Sequence, residues 1–87
     1  MRTLQPIKNK LEAIQGLSVS ERGTGNGTFL FVQSVSRAVE VYMDDSNYIV
    51  EYWDSADEEA DDAPVNQDVL ASEAEVLAKV TRWLAPR

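Results

Sequence analysis

The chain has 87 residues, no cysteine, no histidine and a net charge of −7, from 15 acidic and 8 basic side chains. This length suits a single domain, residues 1–87, and the composition excludes disulfides, thiolate or imidazole metal ligands and imidazole acid–base catalysis. No apolar run reaches the roughly 20 residues that span a membrane, and the start of the chain lacks the apolar core of a signal peptide. We therefore expect a cytoplasmic protein of bacterial type.

The first predicted element is a short amphipathic helix. Leu4, Ile7, Leu11 and Ile14 recur at spacings of three and four residues, which places them on one helical face. Gly16 is positioned to end the helix in a left-handed cap.

Two strands are predicted next, from Leu17 to Arg22 and from Thr28 to Gln33. The second is rich in aromatic and β-branched residues, and the glycines between the two strands suit a hairpin loop with positive φ. This loop leads into no predicted helix and carries no Lys-Ser/Thr signature, so phosphate binding there is disfavoured.

A second hairpin is predicted from Ala38 to Trp53, turning at residues 44–47, whose side chains are all turn formers. With this turn, Glu40 lies directly across from Glu51, on the face opposite the apolar one. Like charges opposite each other are unfavourable, so we expect that face to be partly solvated. It also carries Tyr42 and Trp53, which either form a binding surface or merely cover the outside of the sheet.

The segment 54–64 is predicted to be a mobile, solvated loop because it holds six acids in nine residues and ends in a proline. Asp57, Glu59 and Asp61 have the alternate spacing of a calcium-binding loop. The position where that motif needs a glycine is Asp62, so we expect diffuse cation binding and no specific metal site.

The last predicted element is a helix that begins at the capping-box sequence Ser72 to Glu75. Acidic residues lead this helix and basic residues trail it, which complements the helix dipole. Trp83 is expected in the core. The apolar face comprises Val76, Leu77, Val80, Trp83 and Leu84.

The predicted order is therefore α-β-β-β-β-α. Hairpin connections make the four-stranded sheet antiparallel, and both helices are expected on one of its faces. This is an α+β two-layer sandwich.

The acidic and basic residues occupy different parts of the chain, and this separation is the main sequence evidence for function. No lysine or arginine occurs between Ala38 and Ala78, a stretch that holds 13 of the 15 acidic residues. Direct nucleic-acid binding needs clustered cations and is disfavoured. Catalysis is also disfavoured, because a domain of this size offers the Glu40–Glu51 pair little enclosure to shift its pKa values.

We therefore predict a non-catalytic, acidic interaction or inhibitor protein that binds a basic partner protein, such as a nuclease or another nucleic-acid-binding protein, and that needs no cofactor. Small acidic inhibitors and nuclease-immunity proteins act in this way, an analogy of size and charge alone. The alternative is a small-ligand or divalent-cation-binding domain that uses the acidic loop. A monomer or weak homodimer is expected. The candidate partner-binding residues are Glu40, Tyr42, Glu51, Trp53, Asp54, Asp57, Glu58, Glu59, Asp61 and Asp62.

Overall fold

The computed structural model describes residues 4–24, 27–44, 46–55 and 63–85. Five strands form one antiparallel sheet whose spatial order is the chain order, and a helix stands at each end of the sequence. The predicted α+β class and antiparallel sheet are confirmed. The elements are α1 (Gln5–Glu12), β1 (Ser18–Thr24), β2 (Gly27–Gln33), β3 (Ala38–Asp44), β4 (Asn47–Trp53), β5 (Asn66–Leu70) and α2 (Glu73–Leu84).

The prediction of four strands is wrong by one, because β5 pairs antiparallel with β4. Sequence reasoning missed this strand because a charged residue points toward the helix-covered face and an apolar residue points to the opposite face. Asp68, paired with Val50, lies on the helix-covered face, whereas Val69, paired with Ile49, is 60% exposed on the opposite face. A strand whose charged residue points inward does not show the usual alternation of buried apolar and exposed polar residues.

The helix α1 is shorter than its apolar spacing predicted. Ile7 and Leu11 are fully buried, but the helix ends at Glu12 and Ile14 is 38% exposed. Gly16 does adopt the predicted left-handed conformation, with φ of 88°, although four residues beyond the last helical residue. It reverses the chain into β1 at a φ that other residues rarely adopt.

The helix α2 begins at the predicted cap. The Ser72 hydroxyl accepts a hydrogen bond from the Glu75 backbone N–H at 3.2 Å and donates one to Glu75 Oε1 at 3.1 Å. The first of these bonds satisfies a backbone donor that the helix itself cannot pair. Val76, Val80 and Leu84 are the buried residues of this helix.

The core lies between the two helices and one face of the sheet, which we call the inner face. Its cluster joins the buried residues of both helices to apolar side chains of β2, β3, β4 and β5. On the sheet side it contains Leu30, Val32, Val39, Val41, Tyr48, Val50, Tyr52 and Leu70. The opposite surface, which we call the outer face, is covered by no helix among the described residues.

Neither α1 nor α2 is long and apolar enough to cross a membrane, and no other helix occurs in the described residues.

Candidate functional site

The outer face contains the carboxylates and aromatic residues of the predicted hairpin. The β3–β4 register pairs Glu40 with Glu51, Tyr42 with Ile49 and Ala38 with Trp53, as the turn at 44–47 predicted. One side chain from each strand forms a row across the sheet. That row is Ser20, Phe31, Glu40, Glu51 and Gln67.

Glu40 and Glu51 form the electrostatic centre of this face. Both are half-buried, and they are direct cross-strand neighbours. Burial raises the pKa of the Glu40 carboxyl, repulsion from Glu51 raises it further, and Arg22 lowers it to a smaller extent. The raised pKa means that the folded protein disfavours the negative charge on Glu40.

Aromatic side chains border the carboxylate pair. Tyr42 is half-buried, and its hydroxyl accepts a hydrogen bond from Gln67 Nε2 at 3.5 Å. Burial, followed by the nearby Glu51 carboxylate, raises the pKa of the Tyr42 hydroxyl. Trp53 is also half-buried, beside Ala38, which is only 2% exposed. The face thus combines negative charge with accessible aromatic surface.

Sequence reasoning missed two further members of the outer face. Phe31 is 8% exposed although neither α1 nor α2 covers it, and the Arg22 guanidinium carbon lies 4.4 Å from the centre of its ring. Phe29 and Phe31 alternate with Leu30 and Val32 in β2, so the sequence alone leaves open which of the two pairs faces the core. The β2–β3 register, in which Gln33 pairs with Ala38, decides which side of β2 faces the core, because it directs Phe31 outward and Val32 inward.

The predicted site residues are only partly brought together. Glu40, Tyr42, Glu51 and Trp53 share the outer face. Asp54 does not join them, because its Oδ1 accepts a hydrogen bond at 2.8 Å from Nε of Arg37, whose side chain packs on α2. The other five predicted residues, Asp57, Glu58, Glu59, Asp61 and Asp62, lie outside the described residues.

Arg37 and Trp83 join α2 to the ends of β3 and β4. The Arg37 guanidinium carbon lies 4.1 Å from the Trp83 ring centre, and Nη1 donates to the Trp83 carbonyl oxygen at 3.3 Å. The Trp83 indole N–H donates to the Trp53 carbonyl oxygen at 3.1 Å, and its ring meets Tyr52 edge to face at 5.3 Å. Trp83, predicted in the core, is half-buried and packs against it.

A hydrogen bond across the inner face secures β5. The Tyr52 hydroxyl donates to Asp68 Oδ2 at 2.6 Å. Burial of the ring, together with this bond, raises the pKa of the Tyr52 hydroxyl well above its usual range. The bond explains how a carboxylate can lie on the helix-covered side of the sheet.

Within the described part of the chain, two grooves lie away from the outer face. The larger, about 500 Å³, is open at the end of the molecule where Ile14, Val35 and Leu84 meet, and no described residue lining it is charged. The smaller, about 270 Å³, lies between α2 and β5. No group of three acidic residues within the described ranges is arranged to hold a metal ion, and the calcium-like spacing in the acidic loop lies outside those ranges.

Comparison of the chain with protein-family models, with curated proteins and with solved structures finds no significant match. The function must therefore be inferred from the surfaces themselves.

Proposed function

We propose that this protein is an acidic, non-catalytic interaction or inhibitor protein, and that its outer face binds a basic partner protein. One observation carries the proposal: Glu40 and Glu51 are held side by side, half-buried, between accessible aromatic rings. The proposed contact set is Glu40, Tyr42, Glu51 and Trp53.

The carboxylate pair favours a cationic partner for an electrostatic reason. Two like charges opposite each other on adjacent strands destabilise a sheet. A lysine or arginine from a partner would remove that repulsion and gain charge-assisted hydrogen bonds. The isolated fold therefore carries an unfavourable interaction that a basic partner relieves on binding.

The aromatic side chains would supply most of the contact energy. Tyrosine and tryptophan bury a large area with little loss of conformational entropy, and they are enriched among residues that dominate binding. Trp53 and Tyr42 stand on either side of the row that contains Glu40 and Glu51. This arrangement resembles a binding surface with aromatic anchors around a charged centre.

The charge of the whole chain would act at longer range. With a net charge of −7, the protein attracts basic partners and repels nucleic acids. The net charge includes five acidic residues of the segment 54–64, which add to that field: Asp57, Glu58, Glu59, Asp61 and Asp62. Asp54 contributes less, because its carboxylate pairs with Arg37.

The test compares two double variants that lose the same number of charges. Glu40→Gln with Glu51→Gln removes the pair, whereas Glu12→Gln with Glu21→Gln removes two acids from α1 and the inner side of β1. Partners are captured from the source lysate at low salt, identified, and measured by association and dissociation kinetics. We expect the first variant to lose at least tenfold in affinity, about 1.4 kcal/mol, and the second to lose little.

Trp53→Ala provides a second arm. It should speed dissociation and cost about 2 kcal/mol of binding energy if the ring is an anchor. Capture of no basic protein, or equal losses in the two double variants, would contradict the proposal. The cation-binding alternative rests on residues outside the described part of the chain, and no described contact favours it.

A further inference from the structure

The groove between α2 and β5, which we call the α2–β5 groove, has a volume of about 270 Å³. It opens on the helix side of the sheet, away from the outer face. Its polar lining comes from Arg37, Asn66, Asp68, Lys79 and Arg82, and the Trp83 ring forms part of its wall.

The charge of this lining is opposite to that of the protein. Three cationic side chains face one carboxylate, that of Asp68, in a chain whose net charge is −7. One oxygen of Asp68 is already occupied, because it accepts the 2.6 Å hydrogen bond from Tyr52. The groove is therefore a local concentration of positive charge.

Two of the three cations have no ion-pair partner within the described residues. Lys8, Lys10 and Arg37 each pair with a carboxylate, but Lys79 and Arg82 do not. These two residues lie three positions apart on α2 and so project from one side of the helix. The helix dipole accounts for Arg82 in the last turn but not for Lys79 in the middle of the helix.

The third cation is held in place. The Arg37 side chain is 12% exposed and fixed by Asp54, the Trp83 ring and the Trp83 carbonyl oxygen. These contacts engage Nε and Nη1, so part of the five-donor guanidinium remains for a ligand. Arg37 also covers a carbonyl at the negative end of α2, which would otherwise repel an anion.

We propose that the α2–β5 groove binds an oxyanion, the carboxylate or phosphate group of a small molecule. Lys79 and Arg82 supply exposed positive charges, and Arg37 supplies a preorganised donor set suited to planar or tetrahedral oxyanions. The Asn66 amide is a further donor at the rim. This site is independent of the proposed outer-face function, because it uses other residues and the opposite side of the sheet.

The experiment titrates isotope-labelled protein with sodium phosphate and, separately, with sodium acetate, at constant ionic strength maintained with chloride. The two indole N–H signals serve as reporters, since Trp83 lines the groove and Trp53 stands on the outer face. We expect the Trp83 signal to shift and saturate with at least one oxyanion, and the Trp53 signal to shift less. The oxyanion that saturates at the lower concentration identifies the preferred chemistry.

Two double variants distinguish binding at a specific site from a general attraction of anions to positive charge. Lys79→Gln with Arg82→Gln should raise the apparent Kd at least tenfold, whereas Lys8→Gln with Lys10→Gln, which removes the same charge from α1, should leave it within about twofold. All four side chains are at least partly exposed, so both variants should fold. Shifts that never saturate with either anion, or that are equally weakened in both variants, would overturn the proposal.

Discussion

At the scale of single residues, Glu40 shows how a position can be unfavourable for folding and still be suited to binding. Its carboxylate is half-buried and directly opposite Glu51. A folding optimum would place a neutral or cationic residue there. Natural proteins often keep such locally unfavourable groups at functional sites.

Glu40→Gln should therefore stabilise the isolated protein. At pH 7 we expect a gain of about 0.5 kcal/mol, or roughly 2–4 °C in melting temperature, because the glutamine removes the repulsion from Glu51. The pKa of Glu40 is raised in the folded state, so its contribution to stability falls as the pH rises through that pKa. The advantage of the variant should shrink on acidification from pH 7 to about pH 4, near the ordinary pKa of a glutamate carboxyl, because a protonated carboxyl carries no charge for Glu51 to repel.

Thermal unfolding at the two pH values measures this difference. Glu12→Gln is the control, since it makes the same charge change on an exposed turn of α1. A lower melting temperature for Glu40→Gln at pH 7 would mean that attraction to Arg22 outweighs the repulsion from Glu51.

At the level of helices and strands, the two tryptophans have different expected roles, since Trp83 packs between α2 and the sheet and Trp53 belongs to the proposed binding surface. Trp83 joins α2 to the sheet through Arg37, Tyr52 and the Trp53 carbonyl, whereas the Trp53 side chain lies on the outer face. Trp83→Ala should lower the free energy of unfolding by about 3 kcal/mol, because it removes the ring on which Arg37 and Tyr52 pack.

Trp53→Ala should lower the free energy of unfolding by about 1 kcal/mol or less, since neither α1 nor α2 covers the ring and the backbone carbonyl of residue 53 remains. Urea unfolding of both variants gives the comparison. A Trp53→Ala protein as unstable as Trp83→Ala would place Trp53 among the structural residues and remove it from the proposed binding surface.

The elements also show where sequence reasoning succeeds. The β3–β4 register was predictable because four turn-forming residues fix the loop, and the loop then fixes every pair, including Glu40 with Glu51. The start of α2 was predictable because a capping box is a local pattern. Both successes depend on contacts between residues near each other in the chain.

The failures depend on distant contacts. The strand β5 has one buried side chain, Leu70, and its inward Asp68 is accommodated by Tyr52, sixteen residues away. Arg37 reaches Trp83 across 46 residues, so nothing in the local sequence marks it as a structural cation. The α2–β5 groove could not be predicted for the same reason, because four separate regions of the chain form it.

At the scale of the whole molecule, the charges are arranged asymmetrically. The carboxylate pair occupies the outer face, while Arg37, Lys79 and Arg82 gather around the α2–β5 groove on the helix side. Both proposals use this asymmetry: the outer face would attract cations, and the groove would attract oxyanions. A partner or ligand that carries both kinds of charge could engage both surfaces only by reaching around the sheet.

The net charge predicts how the melting temperature depends on salt concentration. With a net charge of −7, mutual repulsion among carboxylates should destabilise the compact state at low ionic strength. Raising sodium chloride from about 10 to about 150 mM shortens the Debye length from roughly 30 to 8 Å, which screens this repulsion. We therefore expect the melting temperature to rise by a few degrees over this range, and sucrose at equal osmolarity serves as the uncharged control.

Ion pairs have the opposite effect on the salt dependence of stability, because salt weakens their attraction and so lowers the melting temperature. The pairs Lys8–Glu21 at 3.8 Å and Lys10–Glu73 at 3.1 Å lie on or near the surface, where such contacts contribute at most about 1 kcal/mol. Repulsion should outweigh them, because the 15 acidic side chains outnumber the 8 basic ones. The Glu40→Gln, Glu51→Gln protein should respond less to salt than wild type. A melting temperature that falls with salt would show that attraction between α1 and its acidic neighbours dominates the electrostatics of the fold.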